Sequence, residues 1–273
     1  MSAAASMSPQ VFAILSALIE ERLGLFFAAD YRELLLEKLA PRAAELGFDS
    51  MLDYYYFLRY DADGERELLA VADVLTVNET YFLREAAQLR VLVDDFVAPR
   101  VARGERQRIW CAACSTGEEA ISIAALLRER GALGSVEIVA SDISARALAV
   151  ASKGLYGKRS TRSLPEELPG WLERRGDAHQ ADTRLSQAID WRRVNLLDER
   201  AVAELGNFDF ILCRNVLIYF RDETIQTVTS RLYESLRNQG ALLVGASESL
   251  LRLGTAFICE ERGGAFFYRK LGI

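Results

Sequence analysis

The chain has 273 residues, of which 51% are hydrophobic and 26% charged, so it is long enough for one large or two modest domains of a globular protein. A formal net charge of −6 argues against a general nucleic-acid-binding protein. No apolar run reaches the roughly 18 residues of a transmembrane helix, and the first ten residues lack the basic and apolar segments of a signal peptide. We therefore expect a cytoplasmic protein that is not inserted in a membrane.

The first 84 residues show the patterning of helices and none of strands. The signals that begin and end these helices are Ser8, Pro9 and Gly24 for the first, Asp30 and Gly47 for the second, Asp49 or Ser50 for the third, and Asp63 for the fourth. Pro41 is expected to kink or split the second helix. We predict an all-α N-terminal domain over residues 1–84.

From residue 108 the pattern changes to that of an α/β domain. Residues 108–127, RIWCAACSTGEEAISIAALL, read as an apolar strand, a turn of small residues and an amphipathic helix that Ser115 or Thr116 can cap. Such a turn is where α/β nucleotide-binding folds hold their ligand. It lacks the G-x-G-x-x-G pattern and is followed by Glu118 and Glu119, which disfavours a pyrophosphate and suits a positively charged nucleoside such as S-adenosylmethionine. An ordinary packing turn is the alternative.

The remaining residues alternate predicted strands with helices and end in a hairpin. Strands are predicted at 136–141, 191–196, 208–213 and 241–246, helices at 144–153 and 222–236, and hairpin strands at 256–259 and 265–269. Residues 157–190 are irregular and charged, and they predict an insertion with a short hairpin around 183–189. The pattern predicts a mostly parallel sheet with an antiparallel edge in a domain over residues 85–273.

Polar residues end three of the predicted strands. Asp142 ends one strand, Asn195 and Leu196 end the next, and Arg214 and Asn215 end the third. Carboxyl ends of parallel strands form the ligand crevice of an α/β sheet, where an aspartate can accept hydrogen bonds from ribose hydroxyls. Asp142 and Asn195 can equally cap the helices that follow them.

The content of histidine and cysteine limits the chemistry. His179 is the single histidine and is expected at the surface, which disfavours imidazole-dependent hydrolysis, and the scattered cysteines disfavour a metal site. Methyl transfer to a carboxylate needs no base, because a glutamate with a pKa of about 4.3 is already ionised. Cys111 and Cys114 before a helix leave a thioredoxin-like redox motif as an alternative, although packing residues are the favoured interpretation.

Taken together, the motifs resemble those of the CheR family, whose members methylate glutamates of bacterial chemotaxis receptors. The resemblance rests on LTVNETYFLRE, ACSTGEEAISIAALL, VASDIS, VNLLD and FDFILCRNVLIYF in this order. It implies an all-α N-terminal domain that docks the substrate, followed by a Rossmann-like class I methyltransferase domain with a small inserted β subdomain. It also implies S-adenosylmethionine as cofactor, S-adenosylhomocysteine as product, and glutamate γ-methyl esters on the receptor.

The resemblance further implies the residues of the site. Those that would surround the cofactor are Asn78, Thr80, Arg84, Glu118, Asp142, Asn195, Leu196, Arg214 and Asn215. Arg84 and Tyr219 would flank the transferable methyl group and orient the acceptor carboxylate. The expected partner of a monomeric enzyme is the cytoplasmic helical region of a chemoreceptor or related signalling receptor. A non-catalytic cofactor sensor and a small-molecule methyltransferase on the same fold are the alternatives.

Overall fold

The computed structural model describes residues 7–167 and 169–272. These residues separate into two compact units: one holds the residues up to Val77 with Tyr219–Thr224, and the other holds Asn78–Ile218 with the residues from Ile225 onward. The domain boundary expected at residues 84/85 stays a prediction. Most of the segment searched for a signal peptide lies outside the described residues. Among the described helices, none has the length and apolarity that crossing a bilayer requires.

In its described part, from residue 7 onward, the first unit is built around four helices. They are α1 (Pro9–Leu23), α2 (Arg32–Glu45), α3 (Met51–Tyr60) and α4 (Gly64–Leu75). Ser8 and Ser50 cap α1 and α3 with their side chains, as predicted, and Gly24 ends α1 in a left-handed conformation. The expectation for Asp30 is wrong, because it lies in a 3₁₀ turn and no side chain caps α2. Pro41 lies inside a continuous α2.

The described residues of the second unit form ten strands and the remaining helices. The strands are β1 (Gln107–Ala112), β2 (Val136–Asp142), β3 (Leu155–Tyr156), β4 (Leu172–Arg175), β5 (Ala178–Ala181), β6 (Ile189–Arg193), β7 (Phe208–Cys213), β8 (Leu236–Leu243), β9 (Ile258–Arg262) and β10 (Ala265–Lys270). The helices are α5 (Ala86–Val91), α6 (Ala98–Ala102), α7 (Glu118–Glu129), α8 (Ala145–Lys153), α9 (Thr183–Gln187), α10 (Glu199–Glu204) and α11 (Asp222–Glu234), with a π-helical stretch Leu92–Val97 between α5 and α6. The first three residues of α11 belong to the segment Tyr219–Thr224 of the first unit.

The main sheet confirms the predicted architecture. Its seven strands run in the order β6-β2-β1-β7-β8-β10-β9. The first five are parallel, and β10 is antiparallel to both of its neighbours. The prediction of β7 over Phe208–Cys213 is confirmed, and every residue of that strand is buried because parallel strands are covered on both faces. A mostly parallel sheet with an antiparallel edge is therefore the frame of the second unit.

The inserted β subdomain exists, but its hairpin is not where the sequence predicted it. The small sheet has the order β3-β5-β4, and its hairpin joins β4 and β5 around Gly176, which has φ of +60°. Thr183–Gln187, expected in the hairpin, forms α9 because Asp182 caps its first turn. His179, expected at the surface, is buried, because it lies on the inward-facing side of β5.

Candidate functional site

The predicted polar residues come together at the carboxyl edge of the main sheet. β1 pairs in parallel with β2 on one side and with β7 on the other. The segments that follow these three strands therefore lie side by side. The small-residue turn follows β1, Asp142 is the last residue of β2, and Arg214 follows β7. This is the position at which open α/β sheets bind ligands.

Asp142 organises the turn after β1 instead of merely ending a strand. Its Oδ2 accepts a hydrogen bond of 2.8 Å from the backbone N–H of Ser115, and its Oδ1 accepts one of 2.8 Å from the N–H of Ser144. Ser115 Oγ lies 3.5 Å from Asn78 Oδ1, which brings the segment before α5 to the same turn. In addition, Val194 donates its backbone N–H to the carbonyl of Asp142. Asp142 thus joins three of the predicted segments.

The expectation that Ser115 or Thr116 caps α7 is wrong. Gly117 precedes the helix with φ of +90°, and no side chain caps its first turn. A Cβ on Gly117 would lie 2.7 Å from Ala151 Cβ and 2.8 Å from Trp191, so the backbone passes too close to its neighbours for any side chain. The packing of this turn thus requires small residues, whether or not a ligand also approaches it.

Substitution of Gly117 by alanine is expected to destabilise the protein more than the same change at Gly104. Both glycines have positive φ, which costs an alanine about 1–2 kcal/mol, but a Cβ on Gly104 would meet nothing within 4 Å. Overpacking adds about 1–3 kcal/mol at Gly117. Urea unfolding of the two variants measures the difference, and equal free energies of unfolding would contradict the close packing around Gly117.

Glu118 is a buried carboxylate at the start of α7, with 1% of its surface exposed. Thr116 Oγ1 donates a hydrogen bond of 2.6 Å to one oxygen, and Ser160 Oγ donates one of 2.7 Å to the other. Burial raises the pKa of Glu118 above its usual 4.5, although these hydroxyl groups act in the opposite direction. Such a carboxylate is suited to bind the ammonium group of a ligand, because the positive charge and the N–H donors would replace the water contacts that burial removes.

Arg214 is the buried cation of the site. Its Nη1 donates to Glu119 at 2.7 Å, and its Nη2 lies 3.0 Å from Glu85 and 2.9 Å from the carbonyl of Arg84. Its Nε is buried without a hydrogen-bond partner among the described residues. Burial raises the pKa of Glu119 even though Arg214 opposes this, because two carboxylates share one guanidinium. The cluster therefore brings two carboxyl groups together around one guanidinium group.

Asn215 has a left-handed backbone that a second carboxylate stabilises. Its φ is +59°, and Glu248 Oε2 accepts hydrogen bonds of 2.7 Å from the N–H groups of both Asn215 and Gly245. A Cβ on Gly245 would lie 2.4 Å from Asn215 Nδ2, so only glycine allows this approach. The carboxyl ends of β7 and β8 are thereby held together.

Asn195 and Leu196 lie just beyond β6, next to the segment of Asp142. Asn195 Oδ1 accepts a hydrogen bond of 3.0 Å from the N–H of Leu197, so the side chain organises its own turn. Leu196 is buried, and its carbonyl accepts a bond from Arg231. The expectation that Asn195 caps the next helix is wrong, because Asp198 caps α10 with its side chain, and the contact of Asn195 with the cofactor stays a prediction.

Arg84 is half-buried beside the turn. Its Nη1 donates to the carbonyl of Glu79 at 3.1 Å, and its guanidinium lies 5.6 Å from the centre of the Tyr81 ring. Thr80 is half-buried in the same segment. Tyr219 belongs to the segment that clusters with the first unit, where its carbonyl accepts a bond from Phe26. Its pairing with Arg84 therefore stays a prediction.

Backbone strain concentrates around this edge of the sheet. Of six described non-glycine residues with positive φ, five lie in the segments before α5, after β1 and after β7, and these are Leu83, Glu85, Ala113, Ser115 and Asn215. Each such conformation costs about 1–3 kcal/mol and persists only where the surroundings impose it. Strain of this kind clusters at ligand-binding sites, so these segments are candidates for such a site.

The two cysteines of the turn are not suited to redox chemistry. Cys111 and Cys114 are fully buried, and burial raises the pKa of both thiols well above the usual value. Glu119 raises the pKa of Cys111 further, and Asp142 does the same for Cys114. A reactive cysteine needs a lowered pKa, so packing is the role that the structure supports.

Two carboxylates of the site, Glu85 and Glu248, have no role that the local sequence pattern predicts. For Glu119 the pattern predicts only that, together with Glu118, it disfavours a pyrophosphate and suits a cation. Glu119 follows Glu118 directly, and the side chains of adjacent helical residues point about 100° apart. Glu118 therefore accepts a hydrogen bond from Ser160, whereas Glu119 accepts one from Arg214. A glutamate pair at a helix start was the available signal.

The charges and shapes of these groups suit a cationic nucleoside without phosphates. The buried carboxylates outnumber the buried guanidinium group, and the first turn of α7 carries two glutamates where a phosphate would need bare N–H groups. Arg214 Nε still offers a donor for a carboxylate or carbonyl of a ligand. S-adenosylmethionine, with an ammonium, a sulfonium and a carboxylate, has this combination. Among the described residues, no cluster of ligands for a metal ion is found.

Two family models and several known proteins match this chain. The family model described as "CheR methyltransferase, SAM binding domain" matches residues 78–263, and the one described as "CheR methyltransferase, all-alpha domain" matches residues 10–76. Chemotaxis protein methyltransferase 2 of Vibrio cholerae is 38% identical over 246 residues, which cover 87% of this chain and 84% of that protein. The chemotaxis protein methyltransferase of Vibrio parahaemolyticus is 36% identical, and the match covers 93% of this chain and 94% of that protein. The chemotaxis protein methyltransferase of Escherichia coli is 33% identical, and the match covers 92% of this chain and 88% of that protein.

Proposed function

Because the chain belongs to the CheR methyltransferase family, we propose that it transfers the methyl group of S-adenosylmethionine to glutamate side chains of a chemotaxis receptor or a related signalling receptor. The products are glutamate γ-methyl esters and S-adenosylhomocysteine. The chain is an S-adenosylmethionine-dependent methyltransferase of that family. The names of its relatives, which are chemotaxis protein methyltransferases, support the receptor as substrate. The proposed partner is the receptor's cytoplasmic helical region, the proposed compartment is the cytoplasm, and the proposed enzyme is a monomer whose residues 1–84 dock the substrate.

The single observation that carries this proposal is the unbalanced buried charge at the carboxyl edge of the sheet. Glu118 directly follows the small-residue turn, Asp142 accepts a hydrogen bond from Ser115 within it, and Arg214 is shared by two carboxylates. Glu118 is proposed to bind the ammonium group of the cofactor, Asp142 the ribose, and Arg214 its carboxylate. The other residues proposed to surround it are Asn78, Thr80, Arg84, Asn195, Leu196 and Asn215.

Positioning and electrostatics are proposed to carry the reaction without an acid or base. The cofactor supplies an activated methyl group on a positively charged sulfur. Arg84 is proposed to hold the acceptor glutamate by two parallel N–H···O bonds, with Tyr219 orienting it. The acceptor is ionised at neutral pH, so no proton has to be removed before attack. The role of this chain's residues is then to align two reactants and exclude water.

Transfer of labelled methyl groups tests the proposal directly. Purified protein is incubated with S-adenosylmethionine carrying a radioactive methyl group and with membranes that contain a chemoreceptor from the same source. Base-labile label on the receptor is expected, since carboxyl methyl esters hydrolyse in alkali. Glutamate-to-alanine changes at the methylated positions of the receptor should abolish it. Label that is stable to alkali, or found only on small molecules, would overturn the proposal.

Cofactor affinity is expected to fall as the pH is lowered. The fall should begin at a pH above the range in which an exposed glutamate gains a proton. Burial raises the pKa of Glu118, so this carboxylate gains a proton earlier than usual during acidification and loses its attraction for an ammonium group. Calorimetric titration with S-adenosylhomocysteine over a pH series measures the effect. In Glu118→Gln the affinity should be lower, and this acid-dependent component should be absent. An unchanged pH profile in that variant would contradict the assignment.

A further inference from the structure

The first part of the insertion, residues 159–163, contacts the segment 79–84 that leads to α5. The backbone N–H of Phe82 donates to the carbonyl of Ser160 at 2.9 Å. Ser163 Oγ donates to the carbonyl of Phe82 at 2.8 Å, although 81 residues separate the two in the chain. Because Phe82 is fully buried, these bonds attach the insertion to a fixed point of the second unit.

Arg162 is the side chain that makes most of this contact. Its Nη2 donates to Glu79 Oε1 at 2.7 Å, and its Nη1 donates to the carbonyl of Arg159 at 2.7 Å. Its guanidinium carbon lies 4.0 Å from the centre of the Tyr81 ring, well within the distance of about 6 Å at which a cation is attracted to an aromatic face. Three contacts therefore fix the guanidinium group of Arg162.

Arg84 rests on the same two residues, Glu79 and Tyr81. Its Nη1 donates to the backbone carbonyl of Glu79 at 3.1 Å, and its guanidinium carbon lies 5.6 Å from the centre of the Tyr81 ring. Arg162 holds the carboxylate of Glu79 and contacts the ring of Tyr81. It therefore restricts the movement of both groups that hold the side chain of Arg84.

The backbone at Arg84 is fixed by other residues. Leu83 and Glu85, on either side of it, have positive φ of +55° and +54°. The N–H of Leu83 donates to Ser122 Oγ at 3.0 Å, and the carbonyl of Arg84 accepts a bond of 2.9 Å from Arg214. Loss of the Arg162 side chain should therefore change the direction of the Arg84 guanidinium group without releasing this turn.

The orientation of Arg84 matters for the role proposed for it. Two parallel N–H···O bonds to the acceptor carboxylate require the planar guanidinium group in a defined direction, which a flexible side chain does not hold by itself. Groups at a reacting centre keep such a geometry only when packing and hydrogen bonds from surrounding residues lock their rotamers. Glu79 and Tyr81 supply these contacts to Arg84, and Arg162 supplies them to Glu79 and Tyr81.

We propose that Arg162 is a positioning residue for the methyl transfer, which acts through Glu79 and Tyr81 to hold Arg84 in the orientation that aligns the acceptor glutamate. This assignment rests on the proposed function. Arg162 does not itself bind the acceptor. The insertion thus takes part in the reaction, since Ser160, in the same segment, also donates a hydrogen bond to Glu118.

The orientation of Arg84 can be measured by NMR without any methyl transfer. The side-chain Nε–H signals of arginine are recorded in ¹⁵N-labelled protein, and Arg84→Lys identifies the Arg84 signal by its loss. Arg162→Met is expected to shift or broaden that signal, because the Tyr81 ring then takes other orientations beside it. An Arg84 signal that is the same in Arg162→Met as in wild type overturns the proposal.

Arg159→Met is the matched control. Arg159 donates to the other oxygen of Glu79 at 2.7 Å, but its side chain is 84% exposed, compared with 37% for Arg162. An exposed ion pair contributes little, so the Arg84 signal and kcat should stay close to those of wild type. Equal changes in Arg159→Met and Arg162→Met would overturn the assignment to Arg162.

Receptor methylation at saturating cofactor tests the effect on the reaction. Arg162→Met is expected to lower kcat about tenfold, because a small misplacement of a group that aligns a reactant is costly even when the group is still present. The same substitution in an Arg84→Ala background should lower kcat by less than about twofold, since the residue that Arg162 positions is gone. A direct contact of Arg162 with the substrate, or a general loss of structure, would lower kcat in both backgrounds.

The outcomes separate the possible failures. Equal fold losses of kcat in the presence and absence of Arg84 overturn the proposal. If Arg162→Met does not fold, Arg162→Lys, which keeps the charge beside Glu79 but not the planar group beside Tyr81, is judged by the same criteria. If wild-type protein methylates no receptor, the proposed function fails, and the NMR signal of Arg84 still decides whether Arg162 orients it.

Discussion

Replacing Arg84 by alanine is expected to lower kcat about 10²-fold to 10³-fold while leaving the stability of the fold nearly unchanged. Removing one donor that stabilises charge at a reacting centre has an effect of this size. The side chain is half-buried and contributes one hydrogen bond to Glu79 and a ring contact with Tyr81, so little of the fold depends on it. Receptor methylation at saturating cofactor, together with thermal unfolding, measures both quantities.

The controls for Arg84 separate positioning from charge. Arg84→Lys keeps the positive charge but loses the two parallel bonds, so a large part of the kcat defect should persist. Arg90→Ala removes an exposed arginine of α5, the helix that follows Arg84, and should leave kcat unchanged. A kcat for Arg84→Ala within about threefold of wild type would remove Arg84 from the reaction, since even one donor in a reacting centre contributes more than this.

Replacing Arg214 by leucine is expected to lower the free energy of unfolding by about 3–5 kcal/mol and to abolish measurable cofactor binding. The change leaves the buried carboxylates of Glu85 and Glu119 without their shared cation, and uncompensated buried charge has a cost of this size. Urea unfolding and calorimetric titration with S-adenosylhomocysteine measure the two effects. The matched control is Arg200→Leu in an exposed pair with Glu204, which should change stability by less than about 1 kcal/mol.

The loss in Arg214→Leu should also depend on pH. Burial already raises the pKa of Glu119, and removal of Arg214 raises that pKa further. Acidification therefore protonates Glu119 and removes the buried negative charge that has lost its partner. A group with a raised pKa in the folded state binds more protons there, and stability therefore falls as the pH rises. The destabilisation should be smaller at about pH 5 than at about pH 7. A loss independent of pH would mean that packing, not charge, explains the effect.

Most of the architecture was predictable because it depends on local periodicity. Buried parallel strands such as Phe208–Cys213 are continuous apolar runs, and helix ends at Ser8 and Gly24 follow from backbone groups that need a cap. The hairpin of the insertion was misplaced because its strands are short, polar and half exposed, so periodicity carries little signal there. His179 was misjudged for the same reason, since its burial depends on a neighbouring layer rather than on adjacent residues.

The sequence by itself determined the order of helices and strands, the small residues after the first strand, and the polar residues that follow the parallel strands. Only the tertiary structure decided which of these groups meet. Arg214 contacts Glu119, which lies 95 residues away, and the carbonyl of Arg84, which lies 130 residues away. The physical reason is that propensity, capping and hydrophobic pattern act within a few residues, whereas the pairing of buried charges and the contact of Arg162 with Tyr81 depend on segments that only the folded chain brings together.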